Sequence, residues 1–372
     1  MSSDAAFKLQ FNRETVSELA GYLANATGSF DVDAFFADAT TGLDPLELKA
    51  RVAHISRAMR AALPADVPTA LDCIVRAQPP ALVDTEAVSG YFRLWPFCHF
   101  VEEYAIEHPD EALDAMYALT KRFSCEFAIR PYIIRYPELV FERLRQWLTD
   151  PDVHVRRLVS EGTRPRLPWG ERLRALDEDP TPSLPLLDAL RDDAELFVRR
   201  SVANHIGDIA KRHPELAVEH CAGWLNSDDS EESTWVVKHA LRTLVKRGHA
   251  GALALQGFEP PLIEVESFTL SETSVDAGGS FELALQVRST SAKPQLLAID
   301  YALHLLKNNG SHAPSVFKWS IVTLKPGEAR TLTKRHVMRI VSTRRFYDGE
   351  QRVSVQINGQ AATEQLPFSL HV

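Results

Sequence analysis

The sequence predicts a molecule in two parts, a HEAT-like α-helical solenoid followed by an immunoglobulin-like β-sandwich, and three observations carry that prediction. From about residue 14 to 254 apolar residues recur at the helical period, and strand signals are nearly absent. Near Pro260-Pro261 the period changes to two. Four helical stretches, 124–130, 155–161, 197–208 and 235–242, carry basic residues with a carboxylate, amide or further cation at helical spacing, and repetition at such intervals marks stacked repeats.

The helical elements are legible in order. Leu46–Ile55 and Leu139–Leu148 show apolar residues three and four apart. Pro109-Asp110-Glu111, Pro137-Glu138 and Pro214-Glu215 read as helix starts: a first-turn proline loses no needed N–H, and the following acid meets the positive end of the helix dipole. The basic positions Arg130, Arg156, Arg199 and Lys238 recur 26, 43 and 39 residues apart. The two longer offsets match the helix pair of a HEAT-type repeat, and the shorter one makes the repeat degenerate.

In the second part, Phe281–Val287, Val353–Ile357 and the end around Phe368–Val372 alternate apolar and polar residues, as half-buried strands do. Turn chemistry separates the strands at Asp276–Gly279, Asn308-Asn309-Gly310, Lys325-Pro326-Gly327, Asp348-Gly349 and Asn358-Gly359. About seven strands over roughly 110 residues describe an immunoglobulin-like or fibronectin-like sandwich. The expected domains are therefore 1–258 and 259–372, with the proline pair as linker.

A chain of 372 residues exceeds the usual size of one core. Its apolar and charged fractions, 45% and 24%, are those of an ordinary soluble protein. No apolar run is long enough to span a membrane, and Met1-Ser2-Ser3-Asp4-Ala5 lacks the regions of a signal peptide, so a cytoplasmic monomer without membrane contact is expected. Cys73, Cys98, Cys125 and Cys221 lack CxxC spacing and sit in apolar contexts, which predicts small buried hydrophobes and neither a zinc site nor a disulfide. A net charge of -9 argues against indiscriminate coating of nucleic acid. The acids, however, crowd Asp177-Glu178-Asp179, Asp192-Asp193 and 228–232, whereas arginines cluster in the repeated helices, and local potential decides docking.

In a helix Glu126 and Arg130 stand at i and i+4, as do Arg157 and Glu161, while Arg200, Asn204 and Asp208 continue down one face. Taken singly these are surface ion pairs worth about 0.3–0.5 kcal/mol each. The register says more, because Glu161 and Asn204 occupy equivalent positions in successive repeats, so that acids from three repeats can converge. Between two helices runs Glu161–Gly170, where Arg164 and Arg166 could grip phosphates and Trp169 could stack on a base or cover a sugar; the alternative for Trp169 is a core residue capping the next helix. Arg130, Arg157, Arg200, Lys238, Arg242 and Lys246 complete the cations of the repeats. His54, His99, His205 and His239 sit singly in helical patterns without HExxH spacing and are expected to be satisfied core residues. No Gly-rich phosphate loop or nucleophile elbow is found, and no cofactor or metal is expected. In the sandwich, Lys334, Arg335, Arg339, Arg344 and Arg345 form a basic run that is either a solvated face or a second contact to the same duplex.

At these residues the chain resembles the AlkC branch of the AlkC/AlkD DNA alkylation-repair glycosylases. The resemblance covers most of the first 250 or so residues and is carried by Leu94-Trp95-Pro96-Phe97, Ser124–Pro131, Ser160–Trp169, Val198–Asn204 with Asp208, and Lys238–Leu244. Some members of that branch also carry an immunoglobulin-like C-terminal domain. The resemblance implies hydrolysis of the N-glycosidic bond of alkylated bases in double-stranded DNA, notably 3-methyladenine and 3-methylcytosine, on an open solenoid surface without a deep base pocket. Those lesions are cationic, so the leaving base is already activated and no general acid is demanded. Glu126, Glu161 and Asp208 are the candidates for stabilising the oxocarbenium-like sugar and orienting water, with Trp169 over the nucleotide. Two other functions compete. A protein-binding scaffold leaves the register-matched acids unexplained, and a non-catalytic binder of damaged DNA leaves acids that repel phosphate.

Overall fold

The computed structural model describes residues 7–82, 87–227, 230–341 and 345–372. Among them it contains sixteen α-helices followed by nine β-strands, the helical solenoid and immunoglobulin-like domain that the sequence patterns predict. None of these helices is long and apolar enough to cross a membrane. The chain divides into two compact units, one of Met1–His213 with Gly223–Ala240 and one of Pro214–Ala222 with Leu241–Val372.

In the first unit the helices used below are α1 (Arg13–Ala26), α2 (Val32–Thr40), α3 (Leu48–Ala62), α4 (Val67–Arg76), α5 (Trp95–Tyr104), α6 (Pro109–Thr120), α7 (Ile129–Arg135), α8 (Pro137–Trp147), α9 (Val153–Gly162), α10 (Arg174–Glu178), α11 (Leu184–Leu190), α12 (Leu196–Ile209), α13 (Pro214–Ser227, shared between the units) and α14 (Glu231–Ala240). Pro109, Pro137 and Pro214 each open a helix, as their sequence context predicts. Asp66 and Asp152 cap helices by accepting from backbone N–H groups of Thr69 and His154. Helices α9, α12 and α14 pack in succession, which sets the repeated basic stretches side by side as a solenoid requires. Their apolar stripes, Val155, Leu158 and Val159 on α9 and Val198, Val202 and Ile206 on α12, are fully buried. All four cysteines are buried and free, with the Cys98 and Cys125 sulfurs 3.5 Å apart.

The second unit is a sandwich of a three-stranded sheet, β1 (Ile263–Leu270), β3 (Ser280–Ser289) and β6 (Ala329–Val337), on a six-stranded sheet. The latter runs β2 (Ser274–Asp276), β9 (Leu366–His371), β7 (Gly349–Ile357), β4 (Gln295–Leu306), β5 (His312–Leu324), with β8 (Gln360–Ala361) on β7. The pairings are antiparallel except β2 with β9. Two strands beyond the expected seven or so are the short β2 and β8, too brief to leave a period in the sequence. Alternation does its predicted work: Leu283, Leu285 and Val287 point inward from β3 against Ile299, Tyr301 and Leu303 of β4 and Val353, Val355 and Ile357 of β7.

Two short helices before the proline pair, α15 (Arg242–Lys246) and α16 (Ala250–Ala254), are grouped by their packing with the sheets. Leu253 and Phe258 bury against Ala298 of β4. Gly248 and Gly359, both in left-handed backbone, approach so closely that a Cβ on Gly359 would lie 2.1 Å from the Gly248 Cα. Only glycine fits either position.

Candidate active site

Helices α9 and α12 carry a chain of alternating charges. Arg157 Nη1 donates to Glu126 Oε2 at 2.8 Å, and its Nη2 lies 3.5 Å from Glu161 Oε1. Arg164 Nη1 donates to that same Oε1 at 2.7 Å while its Nε donates to Asp208 Oδ2 at 2.9 Å. Lys211 closes the row on Asp208 Oδ1 at 2.7 Å. Three acids from three segments are thus linked through two arginines, and the convergence expected from the register is present in space. The basis differs in one detail: Glu126 lies in a turn before α7 and pairs with Arg157, not with Arg130 as a helical i,i+4 reading would have it.

Glu161 is 5% exposed and Asp208 2%, so both are inside the protein. Burial pushes the Glu161 carboxyl up, but Arg157, Arg164 and a 2.6 Å hydrogen bond from the Ser201 hydroxyl outweigh it and hold the group below its ordinary value. It is anionic at neutral pH. Behind it His205 is fully buried, its Nδ1 3.1 Å from the Ser160 carbonyl and its Nε2 without a hydrogen-bond partner among the described residues. Burial lowers its pKa to about 4, so it packs as a neutral ring. His205 is therefore a core residue as expected, yet only half satisfied; His54 Nε2 and His99 Nδ1 are unpartnered in the same way. His239 stacks on Trp235 with ring centroids 4.9 Å apart.

Glu126, Arg157, Glu161 and Arg164 line one cleft of about 350 Å³, whose remaining walls include Phe92, Phe123, Phe127, Phe197 and Trp169. Arg157 lies over the Phe197 ring, 4.7 Å from its centre, a cation–π contact that aims the guanidinium. Trp169 is no cap of a following helix. It stands in the turn after Pro168 with φ +65 and 42% exposed, and a bulky residue in left-handed backbone persists only where its surroundings impose it. Those surroundings are Phe7, whose ring meets it edge-on at 6.0 Å, and Lys49, whose ammonium donates to its carbonyl.

Arg130 corrects a sequence expectation. It is 0% exposed, and its Nη1, Nη2 and Nε donate to the carbonyls of Gly162, Arg164 and Glu171 at 3.0, 2.8 and 2.5 Å. Burial lowers its pKa to about 10, still leaving it charged at neutral pH. A cation committed to three carbonyls cannot also hold a phosphate, so Arg130 fastens the 162–171 connection. Arg164 is likewise buried between two carboxylates, and Arg166 donates to Asp177, which also receives Arg172 and is held far below the usual carboxylate range. Arg200 and Lys238 are exposed, Asn204 is half-buried, and along α12 the exposure falls from Arg200 through Asn204 to Asp208. In the second unit Arg242 and Lys246 are exposed. So are Arg335, Arg339 and Arg345, with Lys334 half-buried; Arg344 lies outside the described residues. Ile340, 69% exposed, and Val337 stand among those arginines.

Several residues of the site leave little trace in the sequence. Ser201 and His205 belong to the α12 stripe and look like packing until Glu161 is seen beside them. Lys211, three residues beyond Asp208, is the exception that helical spacing could have found.

Residues 264–372 match the family model described as the C-terminal Ig-like domain of uncharacterised protein YhaZ. The chain is 33% identical over 358 residues to the uncharacterized protein YhaZ of Bacillus subtilis (strain 168), covering 96% of this chain and 97% of that protein. Among solved structures, the Pseudomonas fluorescens alkylpurine DNA glycosylase AlkC, bound to DNA containing an abasic site analog, superposes with a TM-score of 0.88 at 32% identity. That match covers 98% of this chain and 99% of the other.

Proposed function

This chain belongs to the AlkC family, and from that premise we propose that it is a monofunctional DNA glycosylase that removes cationic alkylated bases, 3-methyladenine and 3-methylcytosine, from double-stranded DNA in the cytoplasm. The observation that carries the reading is the linked row Glu126–Arg157–Glu161–Arg164–Asp208, whose first four members line one cleft. Binding alone gives no reason to bury two anions where DNA phosphates must approach. Hydrolysis does.

In the proposed reaction the C1′–N bond breaks with both electrons leaving on the base, which thereby loses its positive charge. The sugar becomes oxocarbenium-like, and the fixed charges of Glu126 and Glu161 stabilise it, with Asp208 adding a third anion behind Arg164. One carboxylate orients a water that attacks C1′ and takes its proton. Trp169 lays an aromatic face over the cationic nucleotide. Arg200 and Lys238 hold the phosphates around it, while Arg157 keeps Glu126 and Glu161 in place and Arg164 does the same for Glu161 and Asp208. The exposed Arg335, Arg339 and Arg345 give the sandwich its own contacts to the backbone of DNA.

The test is direct: duplex DNA methylated at base nitrogens is incubated with the pure protein, and released bases are separated and counted. Free 3-methyladenine or 3-methylcytosine with an intact sugar-phosphate backbone is expected. DNA binding without release would favour a binder of damaged DNA instead.

A further inference from the structure

A second cleft of about 300 Å³ opens beside the first, lined by Trp95, His99, Glu102, Lys49, Glu171 and the two rings, Phe127 and Trp169, that also line the cleft of the carboxylate row. The proposed hydrolysis uses none of its polar groups. Trp95, His99 and Glu102 recur at helical spacing on α5 and so share a face of it. Trp95 and Phe127 stack with centroids 5.1 Å apart at 27°. Of the polar groups, His99 Nδ1 is buried with no hydrogen-bond partner among the described residues, and the half-buried Glu102 lines the same cleft. A buried ring nitrogen left without a partner among aromatic faces is costly unless something binds it.

The arrangement selects a class of ligand. Aromatic walls favour a flat ring system, and a carboxyl group beside a ring nitrogen fits a heterocycle with an amino group next to a ring nitrogen. A volume at the small end of small-molecule pockets, about 300 Å³, suits one or two fused rings without sugar or phosphate. We propose that this cleft is a binding site for the free base after its release, with Glu102 bonding the amino-bearing edge of the ring and His99 Nδ1 a second edge, between Trp95 and Trp169. The proposal rests on the glycosylase reading, since only release of a base next door supplies such a ligand. The shared wall of Phe127 and Trp169 gives the departing base an aromatic path from one cleft to the other.

Burial pushes the Glu102 carboxyl up to about 7, against the pull of Lys49, so near neutrality it offers both a donor and an acceptor. A ring nitrogen beside an amino group wants that pair.

The experiment titrates free 3-methyladenine into the full-length protein by calorimetry, with wild type, Glu102→Leu and Glu161→Gln compared after circular dichroism has shown each folded; leucine removes both the donor and the acceptor that a glutamine would keep. Saturable binding is expected in wild type, at least tenfold weaker in Glu102→Leu and within about twofold of wild type in Glu161→Gln. A second measurement needs no variant: the indole N–H resonances of Trp95 and Trp169 should shift on titration while that of Trp319, in the sandwich, should not. No saturable binding, or binding abolished in Glu161→Gln and kept in Glu102→Leu, overturns the proposal. Base release from DNA is assayed separately, so an active enzyme that binds no free base sinks this inference alone, and an inactive one sinks the glycosylase reading first.

Discussion

Arg164 Nε donates to Asp208 Oδ2 at 2.9 Å although 44 residues separate them, and the same guanidinium holds Glu161 from its other side. One buried cation therefore sets the spacing of two acids carried on different helices. Removing either acid leaves Arg164 with half its partners, which makes the isosteric amides the right probes.

Glu161→Gln and Asp208→Asn should each cut base release by at least about tenfold, because a fixed charge facing the developing cation is lost while shape is kept. Single-turnover release from methylated duplex DNA, at a temperature where both variants remain folded, reads the effect. Near-wild-type turnover in both would remove the carboxylate mechanism. Glu126→Gln should also lower the rate.

Arg130→Lys should destabilise the first unit by about 2 kcal/mol or more, since an ammonium cannot serve three carbonyls that a guanidinium fork reaches and charged hydrogen bonds are worth about 1.5–3 kcal/mol each. Base release should fall with it, because the 162–171 connection carries Trp169. Thermal unfolding and lesion-DNA affinity separate the roles: a variant with unchanged unfolding temperature and weakened DNA binding would show Arg130 to hold a phosphate after all.

The pH dependence of stability should show two opposed contributions. His205, depressed to about 4 by burial, contributes stability that is present above its ordinary value near 6.5 and is lost as pH falls toward 4. Glu102, raised to about 7 by burial with Glu103 and Glu171 nearby and Lys49 and Arg130 opposing, contributes stability that is present below about 4.5 and is lost as pH rises through 7. The gain in unfolding temperature of Glu102→Gln over wild type should therefore grow between pH 5 and pH 8. A difference constant across that range would contradict the burial of this carboxyl.

Replacing Arg335, Arg339 and Arg345 together by glutamine should weaken lesion-DNA binding and flatten its salt dependence, by about 0.9 in the log–log slope for each phosphate no longer neutralised. Affinities measured from about 50 to 200 mM salt decide it. An unchanged slope would mean that this end of the sandwich does not touch DNA.

Activity should persist in chelator and be weak on neutral lesions such as uracil, because the proposed site has carboxylates and an aromatic face for a cation but no acid positioned to protonate a poor leaving group. Release of uracil at a rate comparable with 3-methyladenine, or a chelator-sensitive activity restored by metal, would show that the chemistry has been misread.

The sequence by itself determined the two kinds of architecture. Period 3.6 with proline helix starts, and period 2 with Asn-Gly and Pro-Gly turns, are local properties of the chain, and burial follows them residue by residue, as Val155, Leu158 and Val159 or Leu283, Leu285 and Val287 show. The acids Glu161 and Asp208 were legible too, since their register along α9 and α12 fixes the faces they occupy. The partners of these acids were not. Helical spacing pairs Glu126 with Arg130, but the turn at 124–128 takes Glu126 to Arg157 and sends Arg130 into the carbonyls of the 162–171 connection. That outcome, the unpartnered edge of His99 and the half-satisfied His205 were decided only by tertiary structure, because a buried charge or ring must take whatever acceptor the packing of distant segments brings within about 3 Å, and sequence distance carries no record of it.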